Sequence, residues 1–200
     1  MTFPDIRPAR EDEIAAIGKL ISLSFFDLDA NRYLVPSKED RLPVMADFFT
    51  LYTEHAFKYG RIDVIDDAYG QGHAAVAVWF DNTSEAPAPA DYEKRLGDLA
   101  GEYLDRFVAL DELFDKHHPT DPHWHLAFLA VHPEHQDHGL GSKLMAHTHA
   151  DLDAAGVPAY LEATNANNVR LYRRSGYADM EPFEMLLPDG TPFFRMWRAV

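Results

Sequence analysis

The sequence contains no cysteine in 200 residues. This absence excludes a disulfide-built scaffold, thiolate zinc sites and a cysteine nucleophile. No uninterrupted apolar run approaches the roughly 18 residues that span a bilayer, and the first five residues lack the basic and then apolar layout of a signal peptide. We therefore expect a cytoplasmic protein that has no membrane partner.

Basic side chains are also scarce, because 18 Lys and Arg residues face 33 Asp and Glu residues and the formal net charge is −15. Such a chain repels a phosphate backbone and has no basic patch to offset the repulsion, so nucleic acid is not an expected partner. Aromatic residues are plentiful, with 13 Phe, 9 Tyr and 3 Trp. They can fill a sizeable core, and the length favours a single domain over residues 1–200.

Hydrophobic periodicity predicts strands and helices in alternation along the chain. Strands are predicted over residues 5–8, 61–65, 73–80, 123–131, 158–163, 177–187 and 193–198. Helices are predicted from about residue 11, over 41–58, over 91–116 (as one helix, or two broken near Gly101), after the turn at 136–141 as far as 155, and over 168–175. Residues 26–40 are predicted as a loop with partial helix. The order describes a mixed α/β sheet with flanking helices and a helical insertion at 91–116.

A glycine-bearing turn follows the predicted strand 123–131 and consists of Gln136-Asp137-His138-Gly139-Leu140-Gly141. A helix start offers unpaired backbone N–H groups and the positive end of the helix dipole, which attract phosphate. Two well-known phosphate loops do not fit this turn. A nucleotide P-loop needs Lys directly after its last glycine, where Ser142 stands, and a dinucleotide-binding turn needs a small residue where Leu144 stands.

The run from Leu129 to Gly141 resembles the acyl-CoA signature of the GCN5-related N-acetyltransferase (GNAT) superfamily. Residues 158–164 and 168–177 are similar to the puromycin N-acetyltransferase type within it. The resemblance is strong over 123–177, weaker beyond, and limited to the order of elements in the first 120 residues. It implies a mainly antiparallel, splayed sheet and a transferase that moves an acetyl group directly from acetyl-CoA to a primary amine of a small molecule or peptide.

The resemblance also implies which residues hold the cofactor. Backbone groups of three strand residues would pair with the pantetheine arm: Leu129, Ala130 and Val131. Backbone amides of the turn would receive the pyrophosphate: Gln136, Asp137, His138, Gly139, Leu140, Gly141 and Ser142. Asn168 fits a further cofactor contact, while Asn165 is expected to cap the last helix. Since amides do the holding, an acidic protein can bind this anionic cofactor.

Acyl transfer to an amine needs a proton acceptor for the amine and a proton donor for the departing thiolate. Tyr172 matches the tyrosine acid of the family, and a phenol near pKa 10 can protonate a thiolate whose thiol has a pKa near 8.5. Glu162 shares a strand face with Tyr160 and Thr164, so it could take the amine proton directly or through water, or else orient the substrate. His125 is the second candidate for the base.

Other readings remain open at this stage. The histidines do not match the His-Glu-x-x-His zinc layout, and no metal is expected. A non-catalytic acyl-CoA-binding regulatory module is the rival function, and another donor such as succinyl-CoA is a further alternative. A homodimer is compatible with the sequence. The acceptor cannot be identified, because residues 24–60 and 91–116, which would shape its site, carry no motif; the surplus acid weakly favours a cationic amine.

Overall fold

The structure, a computed structural model, describes residues 3–70 and 72–200. Within them, seven strands form one sheet: β1 (Arg7–Pro8), β2 (Gly60–Asp66), β3 (His73–Asn82), β4 (His123–Val131), β5 (Ala159–Ala163), β6 (Ala178–Leu186) and β7 (Pro192–Arg198). The same residues form seven α-helices: α1 (Ile14–Ser24), α2 (Asp29–Leu34), α3 (Lys38–Tyr59), α4 (Tyr92–Ala100), α5 (Leu104–His117), α6 (Leu140–Ala155) and α7 (Ala166–Arg174). Gln71, in the predicted turn between β2 and β3, lies outside the described residues.

The sheet has the strand order β1-β2-β3-β4-β5-β7-β6 and is antiparallel except between β4 and β5. These two parallel strands pair only at Trp124 with Ala159 and at His125 with Tyr160. Beyond that point they separate and leave a gap in the sheet. A β-bulge at Ala127, which has no partner on β3, accompanies the separation. The predicted class, a mixed and mainly antiparallel splayed sheet with helices on its faces, is confirmed.

Helices cover both faces of the sheet, and each face has its own hydrophobic core. Helices α1 to α5 cover one face, into which β3 directs Val76 and Val78. Helices α6 and α7 cover the other face, into which β3 directs Ala77 and Trp79. The alternation follows from the two-residue period of a strand. None of the described helices combines the length and the apolar character needed to cross a bilayer.

Helix α1 begins at Ile14 rather than near residue 11, helix α7 begins at Ala166 rather than at 168, and two further regions differ from the predicted boundaries. Helix α3 begins at Lys38, three residues early, because Ser37 caps it by accepting a hydrogen bond from the Asp40 amide at 3.3 Å. The predicted loop before it contains α2, and the buried Arg41 secures this segment by donating to the Val35 carbonyl at 2.8 Å. The insertion at 91–116 is two helices, α4 and α5, with the break at Gly101, where φ is +52°.

Candidate active site

The turn before α6 exposes backbone N–H groups at the helix start. Gly139 occupies the N-cap position with a left-handed φ of +74°, which glycine adopts at little cost. No side chain of the described residues caps the helix there. The Lys143 amide makes the first helical bond, to the Gly139 carbonyl at 3.0 Å. The amides of residues 140–142 precede that bond, so they are available to bind an anion.

A cavity of about 390 Å³ lies in front of this turn, and we call it the turn cavity. The predicted residues that line it are Leu129, Val131, Gln136, Asp137, Gly139, Leu140, Gly141, Ser142, Asn168 and Tyr172. Ser24, Phe25, Leu28, His135, Asn165 and Leu171 complete its walls. Two predicted cofactor residues are not in its lining. Ala130 packs in the core of the opposite sheet face, and Nδ1 of His138 lies 2.7 Å from the Gln136 carbonyl.

Main-chain groups of β4 face the gap only at alternate residues. The His132 amide donates to the Ala74 carbonyl of β3 at 2.8 Å. The backbone groups of Ala130, two residues earlier, therefore also face β3. Those of Leu129 and Val131 point the other way, to the side from which β5 has separated. Of the three strand residues predicted to pair with a cofactor arm, Leu129 and Val131 have the suitable backbone orientation.

Glu162 and His125 face each other where β4 and β5 separate. The Glu162 Oε2 atom lies 2.7 Å from Nε2 of His125, and the Glu162 side chain is only 5% exposed. Burial raises the pKa of this carboxyl, but His125, His118 and Tyr160 together outweigh burial and hold the pKa below its usual range. Because an ionised carboxylate can only accept, His125 donates this hydrogen bond from Nε2.

A buried polar network supports this pair from behind. His118 packs edge-on against His125 with ring centroids 5.1 Å apart, and Nδ2 of Asn82 donates to Nε2 of His118 at 2.8 Å. Burial, reinforced by the neighbouring His125, lowers the pKa of His118 to about 4. His118 is therefore neutral at pH 7 and adds no positive charge beside the Glu162–His125 pair.

A second cavity, of about 130 Å³, lies on the sheet face covered by α1 to α5, and we call it the aromatic cavity. The rings that line it are Phe25, Phe48, Phe49, Tyr52, Phe80, Phe114, Phe128 and Phe193, besides the His125 ring. Its polar lining consists of Asn31, Asp111, His125, Glu162 and Thr164. Phe25 and Leu28 line both cavities, so the two adjoin between α1 and α2.

Glu162 lines the aromatic cavity, and its second oxygen has no hydrogen-bond partner there among the described residues. Oε1 is buried and has no hydrogen-bond partner within residues 3–70 and 72–200. Leaving a buried acceptor unpaired costs roughly 1–3 kcal/mol, and more when it is charged. Because Oε2 is held by His125, Oε1 is the oxygen available to accept a hydrogen bond from a molecule in the cavity.

Tyr172 lies on α7 beside the turn cavity. It is 8% exposed and packs edge-on against Tyr177 with ring centroids 5.9 Å apart. Burial raises the pKa of the Tyr172 phenol, so it stays protonated and able to donate at neutral pH. Asn168 lies one turn earlier on the same helix and donates to Thr164 Oγ1 at 3.1 Å. Asn165 caps α7 by accepting from the Asn168 amide at 2.9 Å, as predicted.

With this geometry established, similarity to known proteins identifies the chain. The model of the Acetyltransferase (GNAT) family matches residues 71–177, more than half of the sequence. The chain belongs to the GNAT acetyltransferase family. The protein is therefore an acyltransferase of a family that uses acetyl-CoA. The match includes β4, the glycine turn, β5 and α7.

Solved structures share the GNAT fold over almost the whole chain. A histone acetyltransferase HPA2 and related acetyltransferase from Corynebacterium glutamicum has 27% identity and a TM-score of 0.73, covering 99% of this chain and 97% of its own. A mosquito arylalkylamine N-acetyltransferase like 5b has 18% identity and a TM-score of 0.60, with 98% and 99% covered. The PaiA N-acetyltransferase from Thermoplasma acidophilum, in complex with coenzyme A, has 11% identity and a TM-score of 0.61, with 100% of each chain covered.

The GNAT fold brings together some predicted site residues and separates others. Glu162 and His125, the two alternative bases, form one hydrogen-bonded pair. Tyr172 and Asn168 line the turn cavity, whereas Glu162 lines the aromatic cavity. The two predicted catalytic residues therefore line different cavities, which adjoin at Phe25 and Leu28.

Sequence reasoning did not find three polar residues of these cavities in the GNAT chain. Ser24 donates its hydroxyl to the Val131 carbonyl at 2.9 Å, on the gap side of β4. Asn31 and Asp111 line the aromatic cavity from helices α2 and α5. None belongs to a motif or has a diagnostic spacing to another site residue. All three lie in the ranges 24–60 and 91–116 that are predicted to shape the acceptor site, but no pattern within those ranges singles them out.

One group of side chains has the spacing of metal ligands in the part of the GNAT chain that the structure describes. Glu13, Asp66 and His73 bring ligand atoms within 4.8 Å of one another. The Arg7 guanidinium lies 2.7 Å from a carboxylate oxygen of both Glu13 and Asp66. A cation of the protein therefore already balances these two carboxylates. The absence of a metal requirement remains a prediction.

Proposed function

We propose that this GNAT protein transfers the acetyl group of acetyl-CoA directly to a primary amine of a small molecule, as a single cytoplasmic domain over residues 1–200. The observation that carries the proposal is Glu162, which lines a cavity adjoining the one before α6 and has a buried carboxylate oxygen, Oε1, without a partner among the described residues. An amine N–H is the natural donor to that oxygen. The amine acceptor of the arylalkylamine N-acetyltransferase that shares this fold is consistent with it.

The residues around the turn cavity fit acetyl-CoA. The amides of residues 140–142 would hold the pyrophosphate, because they are unpaired and lie at the positive end of α6. The backbone groups of Leu129 and Val131 would hold the pantetheine arm, with Asn168 as a further contact. Bound acetyl-CoA would supply an acetyl group activated as a thioester.

The Glu162–His125 pair would receive the proton of the amine. Oε1 of Glu162 accepts a hydrogen bond from the amine and fixes its position, while Oε2 stays bound to His125. A carboxylate with a lowered pKa is a weak base by itself, so we assign proton acceptance to the pair rather than to one atom. As the C–N bond forms and the C–S bond breaks, the amine proton passes to this pair.

Tyr172 would donate to the departing sulfur from the other side of the gap. The sulfur leaves as a thiolate, and the phenol O–H is available because burial keeps it protonated. The same raised pKa makes complete proton transfer less favourable than for a free phenol. We therefore assign Tyr172 a hydrogen bond that stabilises the departing thiolate.

The proposed subtype applies to the cofactor-binding half of the chain. Residues 158–177 support the resemblance to the puromycin N-acetyltransferase type, but they include few residues of the aromatic cavity. Of these, Glu162 and Thr164 line that cavity. The resemblance to this subtype therefore does not identify the amine acceptor, because the residues of the site determine the specificity of an enzyme.

Calorimetry and initial-rate measurements test the proposal. We expect saturable binding of acetyl-CoA by the pure protein and acetylation of at least one amine in a panel. Tyr172→Phe should keep the Kd for acetyl-CoA within twofold and lower kcat by about 10²-fold. Absence of acetyl-CoA binding would refute the proposal. Tight binding of acetyl-CoA without turnover of any amine would favour a regulatory module. Faster turnover with succinyl-CoA than with acetyl-CoA would show that acetyl-CoA is not the preferred acyl donor.

A further inference from the structure

Asn31 has an unsatisfied side-chain amide at the wall of the aromatic cavity. The residue lies on α2, is 4% exposed and lines the cavity. Its Nδ2 group is buried without a hydrogen-bond partner among the residues that the structure describes. Buried side-chain amides are nearly always hydrogen-bonded. An unpaired amide in a ligand-sized cavity therefore indicates that the ligand itself carries an uncharged hydrogen-bonding group.

The size and walls of the cavity restrict the rest of the ligand. Its volume is about 130 Å³, close to the roughly 150 Å³ of an engineered apolar cavity that binds benzene. Eight Phe and Tyr side chains contribute to its lining. Aromatic rings pack favourably edge-to-face against such walls. One ring with a short amine chain matches this volume, whereas the same chain on a fused two-ring system is larger than the cavity.

The two unpartnered polar atoms lie on different walls of the aromatic cavity. Glu162 projects from β5 in the sheet, and Asn31 projects from α2, which covers that sheet face. A ligand that satisfies both must therefore carry two polar groups on an apolar body. The amine belongs at Glu162, beside the turn cavity, and the uncharged group belongs at Asn31.

Asp111 supports a competing ligand, a linear diamine with a second ammonium group. Its carboxylate already accepts a hydrogen bond from the Tyr92 hydroxyl at 2.8 Å, and that hydroxyl lies 2.8 Å from the hydroxyl of Tyr52. These hydrogen bonds satisfy one oxygen of Asp111 without any ligand. A linear diamine would also leave the Asn31 amide unpaired, so the geometry favours the aromatic amine.

We propose that the acceptor is a primary amine with one aromatic ring and an uncharged hydrogen-bonding substituent, and that Asn31 selects for this substituent. The inference rests on the proposed acetyltransferase function and narrows it to a substrate class. Asn31 acts in specificity and takes no part in the proton transfers.

Initial rates with matched amines test the inference. At saturating acetyl-CoA, wild-type protein should acetylate tyramine at least tenfold better in kcat/KM than phenethylamine, which lacks only the hydroxyl. Asn31→Leu, a change of similar size, should bring that ratio close to one, mainly by raising KM for tyramine. A site with an unpaired polar group discriminates against an analogue that lacks the partner. Tryptamine and putrescine complete the panel as the fused-ring and diamine probes.

Two further variants make the result decisive. Asn31→Ala also removes the amide and inserts no larger side chain, so the tyramine to phenethylamine ratio should again fall close to one; this variant tests the inference if Asn31→Leu does not fold. Asn167→Leu makes the same chemical change at an exposed asparagine on α7, and both amines should react as with wild type. Preference for tryptamine or putrescine, or an unchanged ratio in Asn31→Leu, would overturn the inference while the acetyltransferase function stands. Acetylation of no amine would refute the function itself.

Discussion

The turn cavity and the aromatic cavity share Phe25 and Leu28 but are built from different parts of the molecule. At the turn cavity, residues 136–142 supply consecutive backbone groups at one helix start. At the aromatic cavity, side chains arrive from helices and strands between residues 25 and 193. The first therefore depends on local backbone conformation, and the second on long-range packing.

This difference explains how a strongly acidic protein can bind a polyanion. The net charge of −15 disfavours phosphate at long range. At the turn, the amides of residues 140–142 act over hydrogen-bond distance and do not depend on side-chain charge. At the aromatic cavity, by contrast, the side chains of Glu162 and Asp111 lie among apolar rings, and we propose that single side chains select the ligand there. We therefore expect substitutions at the turn cavity to change the binding of acetyl-CoA, and substitutions at the aromatic cavity to change the binding and reaction of the amine.

Glu162→Gln should have the largest effect on turnover. It should change the reaction of the amine and leave the binding of acetyl-CoA unaffected. The amide cannot take up the amine proton with His125, and general base catalysis typically contributes 10²–10⁴-fold. We expect kcat to fall by about 10²-fold or more, with the Kd for acetyl-CoA within twofold of wild type. Stopped-flow rates and calorimetry measure the two quantities. Retention of kcat and of the wild-type pH profile would point to another base.

Gly139→Ala should weaken the binding of acetyl-CoA, by a smaller factor than the loss of turnover in Glu162→Gln. A residue with a Cβ pays about 1–2 kcal/mol in the left-handed conformation, so the turn should relax away from its N–H geometry. We expect the Kd for acetyl-CoA to rise about tenfold, while the KM for the amine changes little. Isothermal titration at fixed salt measures the first value.

Gly156 provides the matched control at the other end of the same helix. Its φ is +68°, and an added Cβ would meet no atom within 4 Å, as at Gly139. Gly156→Ala should therefore cost similar stability and leave acetyl-CoA affinity unchanged. Equal loss of affinity in both variants would show that general destabilisation of α6, rather than the turn geometry, weakens binding.

The last prediction concerns the pH dependence of the free energy of unfolding, and it involves a histidine on the sheet face covered by α6. We expect it to have the smallest effect on acetyl-CoA binding and turnover. His149 is 7% exposed, its Nε2 lies 3.0 Å from the Tyr177 hydroxyl, and burial lowers its pKa to about 4. Between this value and the unfolded pKa near 6.5, the unfolded chain binds the extra proton. Stability should therefore fall with decreasing pH in this window, by at most about 1.4 kcal/mol per pH unit for this histidine.

His149→Gln should reduce that slope in urea unfolding measured at pH 7 and pH 5. The pKa of His118, on the aromatic-cavity side, is also about 4, so part of the acid sensitivity should remain in the variant. An unchanged slope would mean that His149 is protonated equally in the folded and unfolded states.

Local patterns predicted the parts of the fold that local interactions determine. The strand over 123–131 and the helix end at Ala155 match the structure, because apolar alternation and the Gly156 C-cap are properties of neighbouring residues. The strand face of Glu162 follows from the same two-residue period, and Leu161 does pack in the opposite core. Helix α3 begins three residues before the predicted position. The apolar spacing predicts a start at Arg41, whereas the Ser37 cap sets the actual start at Lys38.

The sequence by itself determined the mixed sheet, the glycine turn before α6 and the family resemblance, since each depends on residues close together in the chain. Tertiary structure alone decided that His125 and Glu162, 37 positions apart, form one pair, and that Ala130 faces β3. It also decided that Asn31 shares a cavity with Glu162. Such contacts arise where separate helices pack over a sheet that splits, and no spacing along the chain encodes that distance.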